Sequence, residues 1–464
     1  MQTWDTIVIG AGISGLSAAF TLSRQGFRVL VAEKRGHVGG RAVSESIDGF
    51  LMEHGPTSLV APCSAVEGLI GTVGLTGDMV FKGRDVRRRY LVRQSRVHGL
   101  SLSPSRFFLS PFFSWRGRAR LLLEPLIAAR TEDETVADWV RRRFGREILD
   151  YVFDPLVGGL MAGSPERLSM QAVLPHLKRL ECQHGSIIRA VARSRAASGS
   201  ALPGGRTLFS FKQGVAALPQ ALAVHLAGNI QFGTRAVSVA PAGGGGHLVK
   251  LSQGGETRIL HARSVIIALP AYGAAELLQS LRPELADDLA AIPHPPLAVV
   301  FQGYRRQDID HPLDGLGFLT PSVEKRSVLG TLFSSTLFAG RAPEGYAALT
   351  SFIGGARQPD LAVLPAADLN ALAADEARHL LGARAAPVLS KVRHWRMGLP
   401  QPGLGHESVL AHLGGLEDLH PGLFVTGNYI SGTSTVACID NGLAAAARAT
   451  ARLSIYPARR RASA

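Results

Sequence analysis

The chain opens on an apolar, β-branched run, Thr6-Ile-Val-Ile, which breaks at Gly10-Ala-Gly12-Ile13-Ser14-Gly15 and resumes as Leu16-Ser-Ala-Ala-Phe20 with apolar positions at helical spacing. A second run, Val29-Leu-Val-Ala, ends on Glu33. The change of period predicts strand, tight turn, helix and second strand. In such a turn Gly10 permits the bend, Gly12 lets backbone approach a pyrophosphate, and Gly15 lets the helix pack closely on the strand. The helix start at Ile13 and Ser14 offers free N–H groups to phosphate. Glu33, 18 residues beyond Gly15, suits the ribose hydroxyls. The unit predicts a dinucleotide site.

The pattern continues with Lys34-Arg-Gly-His-Val-Gly39-Gly40-Arg41, a second flexible backbone followed by a cation, and then Phe50-Leu-Met-Glu-His-Gly55-Pro56-Thr57. Val86 to Arg93 reads as a strand carrying cations. Beyond it Phe107, Phe108, Leu109, Phe112, Phe113 and Trp115 interleave with Arg106, Arg116, Arg118 and Arg120, and helices are expected through Tyr151. Residues 194–206, rich in Ser, Ala and Gly, predict an exposed linker. A helix after Gly214, a strand over Gln231–Ala240, a turn at Gly243–Gly246 and a buried strand from Ser264 predict a return to the nucleotide domain after a long insertion. Strands are expected at Leu297–Phe301, Val328–Ser334 and Ala347–Ile353, and a helix over Ala366–Leu381. The last coherent stretch ends a strand on Gly427-Asn428 and begins an alanine-rich helix near Thr435-Val436-Ala437, whose N-terminus can stabilise negative charge.

Composition adjusts this picture in three ways. With 46% hydrophobic and 19% charged residues the chain reads as an ordered protein of two or three domains. Cys63, Cys182 and Cys438 are an odd, scattered set, which points to a reducing compartment and to no metal site. No apolar run reaches the roughly 18 to 20 residues that span a bilayer, and the apolar start belongs to the glycine turn rather than to a signal peptide. The net charge of +14 is concentrated: 23 Lys/Arg face 11 Asp/Glu between Lys82 and Arg206. Such a segment calls for an anionic partner. Paired aromatics beside prolines and arginines fit an amphipathic element on an anionic membrane surface better than a nucleic-acid platform, with ordinary helical core as the third reading.

In this order, the glycine turn, the acid and the Gly-Gly-Arg element resemble the FAD enzymes of the amine-oxidase superfamily. Gly159-Leu-Met-Ala-Gly163-Ser-Pro-Glu-Arg-Leu-Ser169, Leu316-Gly-Phe-Leu-Thr-Pro321, Leu329-Gly-Thr-Leu-Phe-Ser-Ser335, Phe352-Ile-Gly-Gly355 and Leu423-Phe-Val-Thr-Gly-Asn428 extend the resemblance, over nearly the whole chain, to the oxygen-dependent protoporphyrinogen oxidase family. The resemblance implies an α/β plus α+β fold: a discontinuous Rossmann-like FAD domain (1–81, 206–275, 415–464), a mixed-sheet substrate domain (82–94, 276–414) and an inserted helical membrane-associating domain (95–205). It implies FAD contacts at Gly10, Gly12, Ile13, Ser14, Gly15, Glu33, Lys34, Gly39, Gly40, Arg41, Gly55, Pro56, Thr57, Val237, Gly427, Asn428, Thr435, Val436 and Ala437. It also implies a propionate partner in Arg89, beside Tyr90, and a tetrapyrrole site formed by Gly159, Leu319, Leu332 and Phe352. The chemistry belongs to the cofactor, so no catalytic base is named.

The implied reaction takes three hydride equivalents from a porphyrinogen and passes them to dioxygen as peroxide, in a cytoplasmic protein seated peripherally on membrane. A homodimer and hand-over of product to a ferrochelatase are compatible with it. The chain departs from the family at Ser164 and at Pro402, where relatives often carry Asp and Tyr. Three other readings stay open: a coproporphyrinogen III oxidase, an amine oxidase or carotenoid desaturase on the same scaffold, and a flavin-binding protein without turnover. Against the amine oxidase, the strand Leu297–Tyr304 lacks the lysine such enzymes carry.

Overall fold

The computed structural model describes residues 3–61, 63–84, 86, 88–100, 110–198 and 207–455, with backbone alone for 194–198. Phe107, Phe108, Leu109, Arg106, the 199–206 part of the linker and the Arg459–Arg461 tail lie outside the described residues.

The first sheet has seven strands. Thr3–Ile9 lies between Val29–Ala32 and Glu256–Ile267, parallel to both, and Ile230–Gln231 extends the Val29–Ala32 edge. Leu423–Val425 runs parallel to the second half of Glu256–Ile267. The antiparallel pair Thr234–Pro241 and His247–Gln253 joins its first half. The parallel strands read as unbroken apolar runs because both faces are covered. Val8, Val31, Ile266 and Phe424 pack against the helices Ile13–Arg24, Ala217–His225 and Thr435–Ile455. Ile7, Ile9, Leu30, Val265, Ile267 and Val425 pack against Ala271–Leu278, Pro283–Ala290 and His406–Leu419. Strands from both ends and the middle of the chain therefore share one sheet.

The second sheet, also seven-stranded, has the order Leu389–Trp395, Leu297–Arg305, Tyr346–Gly354, Val328–Phe333, Gly315–Leu319, Arg88–Arg93, Arg96–Leu100. Only Gly315–Leu319 and Arg88–Arg93 pair in parallel. One face carries Val300, Phe318 and Ile353 into a core capped by the helix Ala366–Leu381.

The basic segment folds as a helical layer: Trp115–Leu122, Val136–Arg143, Asp154–Met161, Pro175–His184 and Ile187–Ser198. The last helix extends to Ser198, into the stretch that sequence composition assigns to an exposed linker. Phe112 and Phe113 are core residues here, packed with Trp139 and Val140. Arg143 is fully buried and bonds Glu124 at 2.6 Å and Glu181 at 2.8 Å. Burial alone would raise the Glu181 pKa, but bonds from Trp139, Arg143, Arg130 N–H and Arg142 outweigh it and hold the group at about 2. Much of this region's arginine is thus spent internally rather than shown to a partner. No helix among the described residues is long and apolar enough to cross a membrane.

Candidate functional site

The glycine turn is held by its acid. Glu33 accepts the Ala11 N–H at 2.8 Å through one carboxylate oxygen and the Arg35 N–H at 2.8 Å through the other. It therefore fixes the turn while keeping lone pairs for a ligand hydroxyl. A Cβ at Gly15 would lie 2.1 Å from the Gly10 carbonyl, whereas one at Gly12 would meet nothing within 4 Å. Gly15 is thus demanded by helix packing, and Gly12 faces open space at the start of Ile13–Arg24. Ile13 is half-buried there and Ser14 buried.

The later segments gather on this turn. Gly39 donates to the Ala11 carbonyl at 2.8 Å, and a Cβ on Gly40 would sit 3.2 Å from Gly12 Cα. Arg41 donates through Nη2 to the Met397 carbonyl at 2.7 Å, and its Nη1 is buried without a partner. Burial pushes its pKa down against the opposing pull of Tyr272. An unpaired guanidinium nitrogen beside open glycine backbone fits an anionic group such as a pyrophosphate. Gly55 abuts the Arg41 carbonyl, which brings Pro56 and Thr57 alongside. From the far end, Gly442 packs against the Ser14 carbonyl, so the helix Thr435–Ile455 crosses Ile13–Arg24 closely and carries Thr435, Val436 and Ala437 into the same region. Asn441 donates to the Gly427 carbonyl at 3.0 Å and fixes the loop that holds Asn428. Lys34 is exposed beyond Glu33. Val237 sits at the irregularity between Ala236 and Ser238, where the ladder skips it. Thr234, at the start of the same strand, donates to the Glu33 carbonyl at 2.9 Å.

The second group of residues lies on one face of the second sheet. Residues opposite each other in a ladder share a face. Phe352 is opposite Gly330, Gly330 opposite Leu319, and Leu319 opposite Leu91, so these four form a row across adjacent strands. Leu332 stands two positions along from Gly330, and Arg89 two from Leu91, on that same face. Gly159 approaches from the helical layer: a Cβ there would lie 2.4 Å from Leu319 Cδ2.

Arg89 is exposed and has no ion-pair partner among the described residues, in contrast to its neighbours on the strand. Arg88 pairs with Asp314 at 3.5 Å, and Arg93 with Glu147 at 2.9 Å. The two groups meet at Thr57 and Leu332, which flank one small cavity of about 10 Å³ together with Glu53, Ser334 and Arg341.

The description "Flavin containing amine oxidoreductase" matches this chain over residues 13–450. The chain belongs to that family. It is an FAD-dependent oxidoreductase, and the cradle described above is the part of it that suits FAD. Protoporphyrinogen oxidase 2, chloroplastic/mitochondrial, of Arabidopsis thaliana is 30% identical over 469 residues, covering 95% of this chain and 92% of its own. Coproporphyrinogen III oxidase of Propionibacterium freudenreichii subsp. freudenreichii is also 30% identical, covering 94% and 88%. In fold, a solved structure from Exiguobacterium sp. 255-15 superposes with a TM-score of 0.82 at 18% identity, over 98% of this chain and 99% of its own.

Some elements of the site carry no signal in sequence patterning. Trp395 donates from its indole to the His54 carbonyl at 2.6 Å, tying the edge of the second sheet to the segment before Gly55. Lys391, on the same strand, is drawn to Glu45 at 3.4 Å. Arg341 is buried between Ser210, Phe211 and Glu53. These are isolated polar residues in otherwise ordinary strands and loops, and only the packing of the second sheet and its loops against the hairpin Ser44–Glu53 and the strand Thr207–Phe211 gives them a place.

Proposed function

We propose that this chain oxidises protoporphyrinogen IX to protoporphyrin IX, with dioxygen as the final acceptor and peroxide as the co-product. The observation that carries the reading is one unpaired arginine, Arg89, on the sheet face that also presents Leu319, Leu332 and Phe352. A flat apolar ligand with acidic side arms needs an apolar wall and a cation at its rim, and a guanidinium can bind a carboxylate through two parallel bonds.

Bound FAD supplies the hydride-accepting chemistry. The chain's residues do the rest: Arg89 holds a propionate, the wall and Gly159 orient the ring, and apolar contact excludes water from the reacting carbon. Removal of six hydrogens in three steps consumes three dioxygen molecules and yields three of hydrogen peroxide. No group among the described residues is assigned as a base.

A second reading is coproporphyrinogen III as substrate, which the comparable identity to the Propionibacterium enzyme favours. A substrate with four carboxylates calls for more free cations, and Arg88 and Arg93 are already paired. That weighs towards the dicarboxylate.

The exposed Trp115 (70%), Leu122 (65%) and Leu126 (76%), with Arg116 stacked on Trp115, make an apolar and basic edge on the helical layer. This supports peripheral attachment to an anionic membrane surface. The division into FAD, substrate and helical membrane-associating regions is part of the same proposal.

The test is turnover by the purified, FAD-loaded protein, followed by porphyrin fluorescence and oxygen uptake. Protoporphyrinogen IX should be oxidised faster than coproporphyrinogen III. The reverse preference would install the second reading, and peroxide from amines without porphyrin formation would overturn both. Flavin that stays oxidised under anaerobic porphyrinogen would mark a non-catalytic binder.

A further inference from the structure

One guanidinium ties together three elements around the apolar wall. Arg357, just past the strand Tyr346–Gly354, donates through Nη1 to the Thr320 carbonyl at 2.8 Å. Its Nη2 lies 3.0 Å from Asp154 Oδ1 and also reaches the Asp154 carbonyl. The second carboxylate oxygen of Asp154 accepts the Ser322 N–H at 2.7 Å. Asp154 opens the helix Asp154–Met161, which the π-helical turn Leu149–Phe153 feeds directly. π-turns shift the phase of a helix and concentrate at functional positions.

The pair sits where it controls close contact. Thr320 follows Leu319, and Gly158 has Arg357 at 2.4 Å from the position of a Cβ. The next residue, Gly159, meets Leu319. At the other end of the helix Ala162 takes a left-handed conformation (φ 49°), and its carbonyl accepts the Ala356 N–H at 2.7 Å. Thus both ends of Asp154–Met161 are pinned to residues just past the ends of the strands that carry Leu319 and Phe352.

Burial raises the Asp154 carboxyl against the opposing pull of Arg357, and burial lowers Arg357 against the pull of Asp154. A buried pair of this kind adds little net stability, since desolvation offsets the attraction, but losing one member strands the other. Its value lies in geometry.

We propose that Asp154 and Arg357 are positioning residues that set the gap between Gly159 and Leu319, and so the selectivity of the site among tetrapyrroles. This rests on the tetrapyrrole reading given above. Arg357→Lys keeps the charge and loses the fork that spans Thr320 and Asp154. Asp154→Asn keeps the shape and loses the charge.

Each variant should raise KM for protoporphyrinogen IX about tenfold, with kcat and FAD content within about twofold of wild type, and should shrink the preference over coproporphyrinogen III. The Kd for protoporphyrin IX, read by fluorescence quenching, should rise in parallel. In a double-mutant cycle, Gly159→Ala and Arg357→Lys should be non-additive in that Kd, because both act on one gap. Additive effects, or a lowered Tm with an unchanged ratio of the two KM values, would overturn the inference. Should Arg357→Lys fail to fold, the near-isosteric Asp154→Asn reads the same quantities. A wild-type protein that neither binds nor oxidises tetrapyrroles would sink the functional reading itself. Wild-type turnover with unaltered selectivity in the variants would sink only this inference.

Discussion

At the nucleotide end, Gly10, Gly12, Gly15 and Glu33 lie in one short unit, and what they present to a ligand is mostly backbone. At the proposed tetrapyrrole wall, Leu91, Leu319, Leu332 and Phe352 come from four strands in a sheet whose order does not follow the chain, and what they present is side-chain shape. The first surface follows from local conformation: glycine where backbone must bend or touch, and a helix start behind it. The second follows from register, since a slip of one residue would turn every wall residue to the opposite face. Backbone sites therefore leave a motif, and side-chain walls leave only apolar residues that look like any core.

The sharpest way to break this contrast is at Gly15. Gly15→Ala puts a methyl 2.1 Å from the Gly10 carbonyl, and should cost about 3 kcal/mol in urea unfolding together with most of the bound flavin. Gly12→Ala, whose methyl meets nothing in the protein, should keep the apo-protein Tm and lose flavin affinity alone. Equal Tm losses in the two variants would erase the distinction between packing and ligand glycines.

The seam between the regions can be probed through Glu53. Burial raises its pKa from 4.5 to about 7, against bonds from Ser44 and the Val215 N–H and the more distant Arg341. The folded state then holds a proton that the unfolded chain releases, so this group's contribution to stability falls as pH rises from about 4.5 to about 7 and is level above that. The change is on the order of 3 kcal/mol. Subtracting the Glu53→Gln unfolding curve from wild type across that window should reveal the slope. A flat difference would mean that Glu53 is ionised throughout.

Arg89→Ala tests the exposed arginine on the wall face, which has no ion-pair partner among the described residues. Losing a charge-assisted bond to a carboxylate should weaken protoporphyrin IX binding roughly 10- to 100-fold, with FAD content unchanged. Loss of both together would return Arg89 to the nucleotide side.

The smallest effect is expected at the helical edge. Replacing Trp115 and Leu126 by Ser should lower co-sedimentation with anionic vesicles several-fold and leave Tm nearly unchanged, because both side chains are exposed. Charge reversal is best confined to Arg116, since Arg120 is bonded to the carbonyls of Arg142 and Arg143. Undiminished binding would remove this edge from the membrane reading.

Much of the fold is legible in sequence. The helix Ala366–Leu381 is found at its expected bounds, and the glycines at 243–246 lie between the paired strands Thr234–Pro241 and His247–Gln253. Patterning fails where apolar and basic residues mix. Phe112 and Phe113 beside arginines read as a membrane face, yet they fill a core where Arg93 and Arg120 are bonded inside the helical layer. Likewise the helix Ile187–Ser198 runs into the start of a stretch whose small and polar residues read as linker. Composition does not reveal which cations find buried acids, since Arg143, Glu124 and Glu181 are far apart in sequence.

By itself the sequence determined the dinucleotide turn, the alternation of elements and the family, because these depend on residues within a turn or two of one another. Tertiary structure decided that Arg88 and Arg93 find acids while Arg89 has no ion-pair partner among the described residues, which strands bring Leu319, Leu332 and Phe352 to one face, and that Arg357 should hold Asp154. Those outcomes depend on strand order and desolvation, which are properties of the assembled chain rather than of any segment.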